Sequence, residues 1–305
     1  MKPLKKAINI FTACLLFVSI SFSVYSQKLN TIQEGSVWAP ANIKVDAKLN
    51  EWDDTFQAYN KTTEVFYTIS NDDKNLYLVL KSTDPLNNNK IIAGGINFTI
   101  NKTGKKKDKD AYVIVFPLVD MVSMRNQIIS MGAGGGGGRG GDMDSAAVSN
   151  LRKKALSMVK EIKLSGFSDI PDSVISIYNE YGIKAAIDYD VKGNLTCEMA
   201  IPLKYLHLIS AGNSEFNYNI KLNGLDINAL FPGAGAMFAG AGGGGAGGFG
   251  GGGGGGGRGG AGGGFGGGAG SSGGGISGIP TSMLQMQTLI SPTDFWGKYT
   301  LATKK

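Results

Sequence analysis

Cysteine and histidine are scarce in this 305-residue sequence, and their scarcity excludes several kinds of site. There are two cysteines and one histidine, His207. Cys14 lies in an N-terminal apolar run, which leaves Cys197 as the sole cysteine of the remaining chain, so we expect no internal disulfide. We expect Cys197 to be a small core residue of an apolar strand. Zinc sites use several thiolate or imidazole ligands, and this composition does not provide them.

The excess of positive charge is also small. The formal net charge is +6, and Lys2, Lys5 and Lys6 at the N-terminus carry three of these charges, leaving +3 for the rest of the chain. A nucleic-acid-binding protein needs a dense basic face. We therefore expect no nucleic-acid partner.

The N-terminus has the three parts of a bacterial secretory signal. The three lysines form its basic region, residues 7–24 form its apolar region, and Ser26 is a small residue for cleavage before Gln27. We predict that residues 1–26 are a cleaved signal peptide, and that the mature chain has no transmembrane span and is periplasmic or located at the cell surface. A retained anchor and acylation of Cys14 are the alternatives. The run is serine-rich for a span, which needs about 20 apolar residues, and it continues past Cys14.

Two glycine-rich tracts interrupt the chain, at residues 132–141 and 233–278. They hold most of its 48 glycines. The entropic cost of ordering these glycines exceeds the free energy that such segments gain by burying apolar surface. We predict that both tracts are disordered loops. Because apolar segments resume after each tract, residues 27–305 are predicted to form a single domain with two insertions.

The other segments alternate between apolar and polar residues with a period of two, which is typical of half-buried strands. Three pairs of such segments are joined by polar turns at residues 71–75, 102–110 and 190–194, and further strands are predicted at 216–222 and 295–301. Hairpins at this spacing predict an all-β protein, a two-sheet antiparallel β-sandwich of jelly-roll-like type.

One inserted amphipathic helix is predicted at residues 144–164, capped by Asp144 or Ser145 and ended by Gly166. Residues at helical spacing give it one apolar face: Val148, Leu151, Ala155, Met158, Val159 and Ile162. We expect this face to pack on the sandwich beside the first glycine tract. Docking on a membrane surface or on a partner is the alternative.

The sequence contains no arrangement of residues typical of catalysis. His207 is not accompanied by a nucleophile-elbow motif, and neither glycine tract is followed by the Lys-Ser or Lys-Thr of a phosphate-binding loop. We therefore expect that the protein is not an enzyme.

Three segments resemble the family 9 carbohydrate-binding modules and the wider set of DOMON-like β-sandwich domains. Residues 43–52, IKVDAKLNEW, are similar to the opening strand, turn and tryptophan of this family, although Ala47 stands where a glycine is usual. Residues 71–78, followed by Asp84, resemble its acidic turn and apolar strand. Residues 198–203, EMAIPL, resemble its strand-ending motif, and residues 295–298, FWGK, lie where its closing aromatic-glycine strand is expected.

The resemblance implies a two-sheet sandwich and a glycan as the partner. Sugar rings stack on exposed aromatic rings and bond to polar side chains. Trp38, Trp296 and Tyr59 are the predicted platform residues, whereas Trp52 is expected in the core. Plain packing is the alternative for Trp38 and Trp296, and Tyr178 and Tyr181 are, like Tyr59, weaker platform candidates.

The resemblance also implies structural calcium, although no cofactor is certain. Asp72, Asp73 and Asp84 are the candidate ligands, because calcium takes several oxygen ligands. In the alternative, residues 71–73 form a turn whose side chains bond to their own backbone.

We expect a non-catalytic, exported, carbohydrate-binding-like module at the cell envelope. One alternative is a structural or adhesive protein that contacts other envelope proteins through the longer glycine tract. The second alternative is a haem-binding sandwich in which Met121, Met124 or His207 is an axial ligand.

Overall fold

The computed structural model describes residues 29–103, 111–128, 145–209, 214–230, 232 and 281–304. The predicted signal peptide and both glycine tracts lie outside these residues, so the predictions made for them stay predictions. Within the described residues, no helix is long and apolar enough to cross a membrane.

Two antiparallel sheets form a β-sandwich, as the alternating pattern predicts. A five-stranded sheet has the order β1-β2-β3-β9-β8, and a six-stranded sheet has the order β11-β10-β4-β5-β6-β7. The strands are β1 (Ala58–Asn60), β2 (Val65–Asn71), β3 (Asn75–Ser82), β4 (Ile96–Asn101), β5 (Tyr112–Leu118), β6 (Glu161–Ser165), β7 (Val174–Ser176), β8 (Lys184–Tyr189), β9 (Leu195–Pro202), β10 (Glu215–Leu222) and β11 (Thr293–Thr300).

The three predicted hairpins are confirmed as the pairs β2–β3, β4–β5 and β8–β9. Along each strand the apolar residues of one parity face the space between the sheets, where burial of apolar side chains stabilises the fold. Cys197 is among these core residues at 1% exposure, as predicted, and burial raises the pKa of its thiol.

The described residues contain more helix than the one insertion predicted from the sequence. The helices are α1 (Pro85–Gly94), α2 (Met121–Ile128), α3 (Ser145–Ser157), α4 (Ile227–Leu230) and α5 (Thr281–Ile290). Helix α1 contacts α5, α2 contacts α4, and α3 contacts β8. The helices therefore gather at one end of the sandwich, and the chain enters and leaves both glycine tracts from helices at this end.

The predicted helix at 144–164 is correct at its start and wrong at its end. Helix α3 ends at Ser157, and residues 161–165 form strand β6 at the core. Ile162 and Leu164 are buried there on alternate positions. Ile162 also fits the helical spacing of Val148 to Val159, so the helical pattern runs on past the end of α3 into the strand.

Two tyrosine hydroxyls join the sheets inside the core. Tyr67 on β2 and Tyr218 on β10 lie with their oxygens 2.8 Å apart, and the backbone N–H of Gln33 donates to the Tyr67 oxygen at 2.9 Å. Burial raises the pKa of both phenols, so both stay protonated. The buried oxygens are thus paired, as the low dielectric of a core requires.

Gly297 on β11 allows β11 to approach this pair closely. A Cβ atom at this position would lie 2.3 Å from the Tyr218 hydroxyl oxygen. Only glycine fits above the Tyr218 ring, which accounts for the aromatic-glycine sequence of this strand.

A buried carboxylate holds the N-terminal segment over the outer face of the five-stranded sheet. Oε2 of Glu198 on β9 accepts the backbone N–H groups of Asp46 and Ala47 at 2.9 and 2.7 Å, and Oε1 accepts Nε1–H of Trp52 at 2.7 Å. Trp52 is 6% exposed, which confirms its expected place in the core. It packs in a second apolar cluster outside the sheet, with Ala39, Leu49, Tyr77, Val79 and Ala200.

Burial raises the pKa of Glu198 above its ordinary value of 4.5, and the three donors, which favour the charged form, oppose this shift in part. The folded chain binds the proton of the Glu198 carboxyl more readily than the unfolded chain does. Protonation of Glu198 therefore contributes stability, and this contribution is fully present below pH 4.5. It is lost as the pH rises through the raised value.

We expect Trp52→Phe to lower the free energy of unfolding by about 2 kcal/mol at pH 7, because a charged acceptor loses its donor. The loss should shrink as the pH falls through the pKa of Glu198, since the protonated carboxyl bonds the indole less strongly. Chemical denaturation from pH 4 to 8 measures this. Trp38→Phe is the matched control, and a Trp52→Phe penalty that does not change with pH would contradict the role given to Glu198.

Candidate functional site

The predicted platform residues lie in three separate places. Trp296 is on the outer face of the six-stranded sheet, because its neighbour Phe295 points into the core. Tyr59 lies on the outer face of the five-stranded sheet, opposite Phe66 of β2. Trp38 lies beyond the end of β2, where it forms a parallel bridge to Asn71. They therefore do not build one common platform, and each is assessed by its own surroundings.

Trp296 has the most developed polar surroundings. Asp294 and Lys298 stand two residues away on either side along β11, so the three side chains share one face at a spacing of roughly 7 Å. Both charged residues are exposed and Trp296 is partly exposed. We call this group, Asp294, Trp296 and Lys298, the Trp296 face.

The acidic side of the Trp296 face is held in place by the neighbouring strand. Asn219 of β10 lies directly opposite Trp296, and its Nδ2 donates to Oδ2 of Asp294 and to the Phe295 carbonyl, both at 2.8 Å. Asn219 is 6% exposed. A carboxylate fixed beside an indole can accept ligand hydroxyls without first losing its own conformational freedom.

On the basic side, Lys298 donates from Nζ to Oε1 of Glu215 at 2.9 Å. Both side chains are more than half exposed, so this ion pair adds little stability and leaves the ammonium accessible to a ligand.

The Trp296 face continues across the sheet. The register places Trp296, Asn219, Thr99, Val113 and Ser165 in one row, on the strands β11, β10, β4, β5 and β6. Four strand spacings give this row a length of about 19 Å. The outer face of the six-stranded sheet thus offers an indole at one edge and a strip of small and polar side chains beside it.

Tyr59 is part of a second aromatic surface. Its ring centroid lies 4.6 Å from that of Phe66, which in turn lies 5.7 Å from that of Phe56. All three rings are partly exposed. Burial, followed by the negative charges of Glu64 and Asp84, raises the pKa of Tyr59. The rings are tilted by about 45° to one another, so they pack as a cluster and do not present one flat surface.

Trp38 lies where the N-terminal segment meets the end of β11. The neighbouring Val37 exchanges hydrogen bonds with the Tyr299 hydroxyl, and Ser36 donates to the Thr300 carbonyl at 2.6 Å. Trp296 is four residues before Thr300, or about 13 Å along the strand. The surroundings of Trp38 are thus those of a closing contact between segments.

A groove of about 810 Å³ runs beside the edge strand β8. Tyr178 stands at its rim with 88% of its side chain exposed. The ring has no support from a neighbouring aromatic residue in the described part of the chain, so binding would have to immobilise it, at an entropic cost that the strand-borne Trp296 avoids.

The three candidate calcium ligands are not brought together. Asp72 and Asp73 precede β3, whereas Asp84 follows its far end, roughly 24 Å away for an eight-residue strand. Asp84 instead caps helix α1, accepting the backbone N–H of Asn87 at 2.8 Å. The described residues contain no group of three or more metal-binding side chains.

Asp72 forms the turn that the alternative interpretation predicts. Its Oδ1 accepts the backbone N–H groups of Lys74 and Asn75, both at 2.7 Å, and its Oδ2 accepts the Tyr77 hydroxyl at 2.7 Å. Burial and this bond raise the pKa of Tyr77 to about 12. Asp73 is exposed beside it.

The three candidate haem ligands are likewise separated. Nε2 of His207 lies 3.5 Å from Oδ2 of Asp169, and the His207 ring lies 6.4 Å from that of Tyr112, the first residue of β5. Met121 and Met124 lie on α2, beyond the other end of that strand. About 20 Å of strand separates the two ends, so His207 cannot share a haem with either methionine.

The sequence analysis did not find Asp294, Lys298 and Asn219. Asp294 and Lys298 could have been found from the alternation that placed Trp296 outside, since residues two apart on a strand share a face. Asn219 could not, because its position opposite Trp296 depends on the pairing of β10 with β11.

Comparisons with known proteins find little similarity. No family model matches this chain, and no curated protein matches it. Among solved structures, the chain is similar to a carbohydrate binding module family 9 from Caldicellulosiruptor kristjanssonii in complex with glucose. The identity is 8%, the match covers 64% of this chain and 81% of that chain, and the TM-score is 0.29. Similarity at this level identifies neither the family nor the ligand of this chain.

We expect Asp72→Ala to lower the free energy of unfolding by about 2 kcal/mol, because three donors lose their acceptor. Asp73→Ala, the matched control in the same turn, should change it by less than about 0.5 kcal/mol. Thermal unfolding of the parent chain and of both variants, with calcium and with chelator, measures these changes in stability. A chelator that destabilises the parent chain but not Asp72→Ala would contradict the turn role and indicate calcium at Asp72.

Proposed function

We propose that this chain is an exported, non-catalytic β-sandwich that binds a glycan on the Trp296 face. The observation that carries the proposal is the indole of Trp296 beside the fixed carboxylate of Asp294. An indole stacks against the apolar face of a sugar ring. A carboxylate accepts hydrogen bonds from the sugar hydroxyls, and an ammonium donates hydrogen bonds to them. The predicted signal peptide supports export to the periplasm or the cell surface.

The charges of the Trp296 face also indicate what kind of glycan fits. Asp294 and Lys298 are of opposite sign and flank the indole, so their charges nearly cancel. A neutral sugar, which both groups can contact through hydroxyls, suits this arrangement better than a strongly charged polysaccharide. The row of small and polar side chains beside Trp296 gives room for further sugar units.

We expect the purified chain to bind at least one neutral oligosaccharide on a glycan array, run once with calcium and once with chelator. For that ligand, Trp296→Ala should weaken binding about 10- to 100-fold, the effect of losing a central aromatic contact. Asn219→Ala should weaken it less, because Asp294 stays but loses its support. Titration calorimetry measures both changes.

Three control variants separate the candidate sites. Trp38→Ala, Tyr59→Ala and Tyr178→Ala each remove one of the other exposed or partly exposed aromatic rings. We expect these variants to bind as the parent chain does. Loss of binding in one of them, with Trp296→Ala unaffected, would move the site to that residue. Absence of binding across the array in both conditions would overturn the proposed function.

A further inference from the structure

A second candidate site lies at the helical end of the sandwich. Helices α1 to α5 and Tyr189 of β8 surround a cavity of about 540 Å³, a size typical of sites for small molecules. Its walls are mainly aliphatic and methionine side chains, among them Ile92, Met124, Leu151, Met158, Leu230 and Leu289. Walls of this kind favour a hydrocarbon and offer a sugar few hydrogen-bond partners.

One charged residue lines this cavity within the described part of the chain. Arg152 of α3 is on the same side of the helix as Val148, Leu151 and Ala155, which also line it. Its guanidinium carbon lies 4.7 Å from the centre of the Tyr189 ring. The side chain also lies against Gly193, where a Cβ atom would come within 2.7 Å of a guanidinium nitrogen.

The guanidinium of Arg152 has no carboxylate partner in the part of the chain that the structure describes. Among the described residues, none of the ion pairs formed within 4.0 Å involves Arg152. A half-buried cation that is held by a ring and left without an anion is ready to pair with one from a ligand.

We propose that this cavity binds a single-chain fatty acid, with its alkyl chain among the helices and its carboxylate on Arg152. The apolar walls select the alkyl chain, and the guanidinium of Arg152 selects the anionic head. This site uses other residues than the Trp296 face and lies on other elements. The two proposals therefore stand or fall independently.

Titration calorimetry with straight-chain carboxylates of eight, ten and twelve carbons tests the proposal, with each ligand kept below its micelle concentration. We expect one site per chain and an affinity that rises about fourfold for each added methylene until the cavity is full. The alcohol of the same length should bind about tenfold more weakly than the carboxylate, because it lacks the charge that Arg152 bonds.

Variants of helix α3 test whether Arg152 is the cation that binds the ligand carboxylate. Arg152→Gln should abolish the preference for carboxylate over alcohol while the alcohol binds as before, and Arg152→Lys should retain most of it. Lys153→Gln, which removes the same charge from an exposed neighbour, is the matched control and should behave as the parent chain. Equal loss in Arg152→Gln and Lys153→Gln would overturn the role of Arg152. Failure of the parent chain to bind any carboxylate, or an affinity that does not depend on chain length, would overturn the site itself.

Discussion

The hydrogen bonds of Glu198 decide which faces of this sandwich are open. A carboxylate that is 2% exposed is costly unless its oxygens are fully bonded, and here the backbone of residues 46 and 47 and the Trp52 indole bond it. These bonds dock the N-terminal segment on the five-stranded sheet. Part of its outer face is thereby covered by a second apolar layer. In the described part of the chain, no such apolar cluster covers the outer face of the six-stranded sheet.

Ala47 shows how closely this docking is specified. Its φ is 62°, in the left-handed region that favours glycine, and its N–H is one of the three donors to Glu198. The alanine keeps the conformation because the bond to Glu198 and the burial of Ala47, Leu49 and Trp52 determine it.

Most of the sandwich could be predicted from the period-two alternation, because a strand with one buried face must alternate. The short strands β1 and β7, of three residues each, are too short to show a period. Strand β6 was hidden because Ile162 also continues the spacing of helix α3. At α1 the signal was present but had two meanings: an aspartate before a proline is a typical helix start, and the same Asp84 also suggested a calcium ligand.

For the candidate site, too, a local sequence pattern predicts only part of the arrangement. Because side chains alternate along a strand, Trp296 points away from the side that the buried Phe295 occupies, and its ring is partly exposed on the outer face. What alternation cannot give is the partner strand, so the support of Asp294 by Asn219 depends on a long-range register that only the fold reveals. The cavity beside Arg152 depends on five helices that are distant in sequence, and no local pattern indicates that they meet.

The proposed function requires a ligand to contact the Trp296 face of this sandwich. The chain has three tryptophans, so a nitrogen–proton correlation spectrum contains three indole signals that single substitutions assign. During titration with a bound oligosaccharide, the Trp296 signal should shift strongly and the Trp52 signal, fixed by its bond to Glu198, should stay in place. A ligand that binds while the Trp296 signal does not move would contradict the account.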